Sequence, residues 1–175
     1  TFPNAEYLFA EEEWAYWRSE EQEYGPVIED SVKPIFTAGL AKLVASNHQV
    51  CAEVQLEPTP GHTPGHVSVH ITSNSEEAVI TGDMIHHPCQ IAHPEWSSTA
   101  DENKTHSATT RDLFLEKYSD RPILIIGTHF AAPTAGYIVA NSDLAAKSRA
   151  EKHLIEKHLP DQSEAKGGVV YRLEY

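Results

Sequence analysis

The chain has 175 residues, with 26 acidic against 13 basic side chains and a formal net charge of −13. So acidic a surface repels a phosphate backbone and argues against nucleic acid as a partner. No apolar run approaches the roughly eighteen residues that a membrane-spanning helix needs, which argues against a membrane partner. A hydrophobic share of 40% and a charged share of 22% are ordinary for one globular domain with its own core.

Residues 6–10 read as a short strand, followed by a helix over 11–23. Trp14 and Trp17, three residues apart, share one face of it, with Tyr16 alongside; this is expected to be a packing face. The acids at 11–13 and 20–23 read as solvated. Residues 30–46 read as a second helix, because Val32, Ile35, Phe36, Leu40, Leu43 and Val44 recur at helical spacing. Asp30 or Ser31 can cap its start, and Pro34 falls near the first turn, where proline is tolerated.

From Val50 the period changes. Residues 50–56, 67–71 and 78–81 are short β-like runs bounded by Pro, Gly, Asn or Asp. Residues 109–118 look helical, and 123–126 form a continuous apolar run typical of a buried strand. Residues 143–158 are expected to form an exposed helix, Gly167-Gly168 to break it, and 169–173 to form a final edge strand. The alternation of strands and helices predicts a layered α/β fold. Cys51 and Cys89 stand outside any CxxC pattern and are expected to be buried free thiols, which suits a reducing compartment, the cytoplasm. The chain begins at Thr1 and shows no basic region followed by an apolar core, so it reads as mid-protein sequence.

Three segments share a design: each follows a predicted strand and puts a metal-capable side chain in a loop bearing Gly or Pro. Loops at strand ends are common places for sites, because the sheet fixes them. The first is TPGHTPGH, residues 59–66, whose two glycines and two prolines force a defined turn around His62. A neutral imidazole is a good zinc ligand near neutral pH. The second is Thr81-Gly82-Asp83, whose carboxylate can bind one metal or bridge two. The third is Gly127-Thr128-His129.

PTPGHTPGH, then TGD, then GTH resembles the second half of metallo-β-lactamase-fold hydrolases. The stretches TFPNAEYLFAEEEWAYW, EDSVKPIF, LEPTPGHTPGHVSV, AVITGDMIHHP and AHPEWSS are similar to a branch near the acyl-homoserine-lactone lactonases and methyl-parathion-hydrolase-like proteins. The likeness covers about 1–138 and 170–175, and 141–167 looks like a variable insertion. It implies a four-layer αβ/βα sandwich in which His62 binds one metal, Asp83 bridges two and is catalytically essential, and His129 binds the other. His66 is implied to be a loop or supporting histidine rather than a ligand. His86, His87, His93 and Trp96 follow the Asp83 loop and are candidates to line a substrate pocket. His48, His70, His106, His153 and His158 read as surface or packing residues.

The family's HxHxDH motif, which supplies the remaining ligands, is absent here, and His86-His87 lacks its spacing. In relatives that motif lies shortly before the region resembling Thr1. The chain is therefore expected to be the C-terminal portion of a single such domain, incomplete and inactive alone. The whole protein is expected to be a metal-dependent hydrolase that cleaves an ester- or lactone-type bond with a metal-bound hydroxide. Two divalent cations, with Zn²⁺ the expected ion, and a small ester- or lactone-like substrate follow, and a homodimer is left open. Alternatives within the fold are organophosphate, thioester or β-lactam hydrolysis, or a persulfide dioxygenase. The alternative outside it is a non-catalytic fragment without the HxHxDH motif.

Overall fold

The structure, a computed structural model, describes residues 2–19, 28–140 and 171–175. Strand β1 (Tyr7–Ala10) leads directly into helix α1 (Glu11–Ser19), whose first turn carries Glu11, Glu12 and Glu13, where negative charge suits the helix dipole. A π-turn at Ile28–Val32 runs into the short helix α2 (Lys33–Thr37). Strand β2 (Ala41–Val44) then pairs in parallel with β1.

The single helix expected over 30–46 is therefore corrected. Gly39, with φ of 70°, closes the helix, and the following residues go into strand β2 against β1. Leu40, Leu43 and Val44 fit a helical period by spacing, but their backbone is claimed by strand pairing. Trp14 does pack: it stacks on Phe36 of α2 at 4.3 Å between ring centroids.

The main sheet has six strands in chain order: β3 (Val54–Pro58), β4 (Val67–Ser73), β5 (Glu76–Ile80), β6 (Ile123–Ile126), β7 (Ala135–Ala140) and β8 (Tyr171–Glu174). All neighbours are antiparallel except β5 and β6, which run parallel. The parallel pair needs a crossover, supplied by α3 (Cys89–Ala92) and α4 (Lys104–Tyr118). The strand expected at 50–56 starts later, because the Val50 and Cys51 N–H groups turn back onto the Val54 carbonyl. The β4–β5 hairpin turns on Asn74 and Ser75, both with positive φ (51° and 66°), the primed turn whose twist matches paired strands.

One face of the sheet carries Val79, Ile123, Ile125, Ile138 and Tyr171, which pack with Ile91 of α3 and with Phe114, Leu115 and Tyr118 of α4 into one core. Alternation sends Val67, Val69, Ile71, Ala78, Ile80, Leu124 and Ile126 to the other face, where all are only partly buried. A sheet covered by helices on one side is the layered α/β arrangement read from the sequence. The expected helix at 143–158, the break at Gly167-Gly168 and the insertion at 141–167 lie outside the described residues. The expectation of two buried thiols is corrected: Cys51 is exposed in the turn before β3 and Cys89 is half-buried. Among the described residues, no helix is long and apolar enough to cross a membrane.

Candidate metal centre

The register of the sheet brings the three segments together. Ile80 of β5 pairs with Ile126 of β6 in parallel, so Asp83 and His129 each lie three residues beyond a strand end at the same rim. The loop 59–66 joins β3 to β4, and β4 enters antiparallel to β5, so this loop falls at that rim too. The outcome is direct contact: His129 Nε2 lies 2.9 Å from Asp83 Oδ1, and His62 Nε2 lies 3.5 Å from Asp83 Oδ2. His62 is well covered, with 15% of its side chain exposed, whereas Asp83 and His129 are open at 41% and 47%.

Each side chain has a local reason for its place. Gly61, with φ of 134°, allows the His62 loop to press onto α4, where a Cβ would stand 2.4 Å from the Ser107 backbone. The Glu102 and Asn103 N–H groups donate to the carbonyls of His62 and Gly61, and the Thr110 hydroxyl donates to Pro60. Asn103 caps α4 by accepting the His106 N–H at 2.9 Å. On the other side, the Gly65 N–H donates to Glu13 of α1.

Asp83 sits in a tight turn, Gly82–Met84, that begins where β5 ends. His66 supports it: its Nε2 accepts the Asp83 backbone N–H at 2.9 Å, and its Nδ1 lies 3.1 Å from the Thr59 carbonyl and 2.9 Å from the Thr59 hydroxyl. This pattern requires a neutral ring with its proton on Nδ1. Burial first, and His62 second, push the His66 pKa down, only partly offset by Asp83, Thr59 and Glu13.

His86 belongs to the same cluster. Its ring stacks on His129 and lies 5.1 Å from the ring of His62. Its Nδ1 is buried with no hydrogen-bond partner among the described residues, and burial, then His62, lowers its pKa. Ligand atoms of His62, Asp83 and His86 all lie within 4.8 Å of one another. His87 is exposed and accepts the Cys89 N–H at the start of α3. His93 and Trp96 stack on each other at 4.2 Å on an exposed loop, and among the described contacts neither touches His62, Asp83 or His129.

The donor set fits a divalent cation. His62 Nε2 and Asp83 Oδ2 face each other at 3.5 Å, and an imidazole nitrogen and a carboxylate oxygen are both donors that suit a shared cation.

Sequence reasoning missed the residues behind His62. Asp101 accepts from His62 Nδ1 at 3.2 Å, and Arg111 lies 3.4 Å from the other Asp101 oxygen; both side chains are fully buried. Burial alone pushes the Asp101 carboxyl up, but the Ser98 N–H, His62, Arg111 and Ser107 outweigh it and hold its pKa low. A signal was present: Ser107, Arg111, Phe114, Leu115 and Tyr118 form the buried stripe of α4, and an arginine on a core-facing stripe calls for a buried partner. Gln90, also missed, ties two loops by accepting the His86 N–H at 2.7 Å and donating to the Trp96 carbonyl at 2.8 Å.

Residues 2–141 match the Metallo-beta-lactamase superfamily. No curated protein matches the chain. Among solved structures it is similar to AidC, a dizinc quorum-quenching lactonase in complex with a product, at 20% identity and a TM-score of 0.67, covering 81% of this chain and 53% of that one. It is similar to the hydrolase AbOPH of the beta-lactamase superfamily, at 20% identity and a TM-score of 0.72, covering 98% and 55%. A third is an N-acyl homoserine lactone hydrolase with N-hexanoyl-L-homoserine at its catalytic metal centre, at 20% identity and a TM-score of 0.58, covering 75% and 50%. The chain thus spans about half the length of the structures it matches.

Proposed function

Because the chain belongs to the metallo-β-lactamase superfamily, we propose that it is the C-terminal portion of a single-domain, metal-dependent hydrolase and supplies His62, Asp83 and His129 to a two-metal centre. The observation that carries this reading is the approach of His62 and His129 to the two oxygens of the Asp83 carboxylate, at 3.5 Å and 2.9 Å. Imidazole and carboxylate are ordinary zinc donors, and zinc is the ion we propose. When bound, such cations supply a hydroxide nucleophile near neutral pH and polarise the bond under attack.

The chain's own residues then have separable roles. His62 binds on one side of Asp83 and His129 on the other, so the two oxygens of Asp83 set the spacing between them. His66 holds the Asp83 backbone from below, and His86 forms part of the wall beside His129. The substrate class we propose is a small ester or lactone, since two of the similar structures are lactone hydrolases. The acidity of the chain disfavours nucleic acid as a substrate. Two free thiols, one of them exposed, accord with a reducing compartment such as the cytoplasm.

The test is hydrolysis of N-hexanoyl-L-homoserine lactone by the intact gene product that contains this chain. A chelator should abolish turnover and zinc should restore it. Asp83→Ala should lower kcat/KM by at least about 100-fold, the order expected on losing a metal ligand. Turnover that survives both treatments refutes the proposal.

A further inference from the structure

The back of His62 is held by a buried ionic chain that the metal reading does not by itself require. We propose that Asp101, fixed in place by Arg111, is a positioning residue that keeps the His62 proton on Nδ1 and so leaves Nε2 free to bind beside Asp83. The inference rests on the reading of His62 as a metal ligand.

An ionised aspartate only accepts, so a contact of 3.2 Å between Asp101 Oδ1 and His62 Nδ1 makes that nitrogen the donor. The tautomer with the proton on Nε2 is the commoner one for imidazole in water, and it blocks the lone pair a metal needs. Asp101 selects against it. The other Asp101 oxygen accepts the Ser98 N–H at 3.0 Å and faces Arg111 Nη1 at 3.4 Å, so the carboxylate cannot rotate freely.

Arg111 is anchored in turn on both sides. Its Nε donates to the Pro94 carbonyl at 2.8 Å, Nη1 to the Ser107 hydroxyl at 2.6 Å, and Nη2 to the Ser97 hydroxyl at 3.1 Å. A guanidinium does not lose its proton in a protein, so the charge opposite Asp101 is permanent. Burying such a pair is seldom a net gain in stability over apolar packing. Its place directly behind a candidate ligand accounts for it, because the other ring nitrogen of a ligating histidine is commonly held by a carboxylate.

Asp101→Asn separates this role from simple stapling of the 94–101 loop to α4. The oxygen of the new amide is drawn to the two donors, Ser98 N–H and Arg111, which turns the NH₂ toward His62. Nδ1 must then accept, and the proton moves to Nε2. The experiment is a two-bond ¹H–¹⁵N correlation on the metal-free intact gene product that contains this chain, labelled at histidine nitrogen, with zinc affinity measured by chelator competition. The wild-type spectrum should show His62 protonated at Nδ1, and the variant should show it protonated at Nε2 with zinc bound about 10- to 100-fold more weakly. An unchanged tautomer in a folded variant overturns the proposal, as does a wild-type His62 protonated at Nε2, which decides the matter even if the variant fails to fold. If the tautomer switches while the wild type binds no zinc, the positioning claim is supported and the reading of His62 as a ligand is what falls.

Discussion

Replacing Arg111 by methionine tests how much of the fold depends on the buried ionic chain. Methionine keeps most of the length and apolar bulk but removes the contacts to Pro94, Ser107 and Ser97 and the opposite charge to Asp101. Both partners are fully buried, so Asp101 is left as an uncompensated charge among groups that cannot move into water. Breaking a buried pair from one side costs about 3–5 kcal/mol. For a chain of this size each kcal/mol lowers Tm by about 2–4 °C, so the expected drop is roughly 6–20 °C. The assay is thermal unfolding of wild type and variant, followed by circular dichroism, at several pH values. The pH series carries a sign. The folded state holds the Asp101 pKa below its ordinary 3.8, so its contribution is present above that value and lost as pH falls through the lower folded one. The gap between wild type and Arg111→Met should therefore narrow in acid. A drop of less than about 1 kcal/mol at neutral pH would mean that the pair is not a buried ionic link, because losses that small are typical of exposed pairs.

Three further outcomes are expected. His66 is held neutral with its pKa below 6.5, so stability should be full above that pH and decline as pH falls below it, because the unfolded chain takes up the proton first; an NMR titration of His66 with an ordinary midpoint contradicts this. Gly82→Ala should cost about 1–2 kcal/mol from its left-handed φ alone, and more because the new Cβ would stand 2.6 Å from His66 Nε2, which supports Asp83; an unchanged Tm counts against that packing. Tyr118→Phe should cost about 1–2 kcal/mol by removing the hydroxyl that donates to Glu57 at 2.5 Å, with denaturant unfolding as the readout and no loss as the contrary result.

The sequence carries the site more clearly than the elements that frame it. His62, Asp83 and His129 are legible because glycine and proline mark each loop, and because Asp83 and His129 follow their strands at the same offset. Strand β6 is legible as a short apolar run with residues of low polarity on both faces. Residues 30–46 mislead because Leu43 and Val44 of strand β2, with Leu40 just before it, fit a helical period as well as a strand, and only the partner β1 decides between them. Strand β7 is hidden, since Gly136 interrupts its pattern and its pairing to β6 and β8 is non-local. Asp101 escapes notice for a related reason: it lies 39 residues beyond His62, and nothing in an ordinary Ser- and Asp-bearing loop marks a carboxylate as the one that meets a histidine.

The most direct test of the central claim is zinc-edge anomalous diffraction from crystals of the intact gene product grown with Zn²⁺. Anomalous peaks are expected within coordination distance of His62 Nε2, the Asp83 carboxylate and His129 Nε2, at the shared rim beyond β5 and β6. Zinc bound elsewhere, with those three side chains making no contact to it, would rule out the centre proposed at this rim.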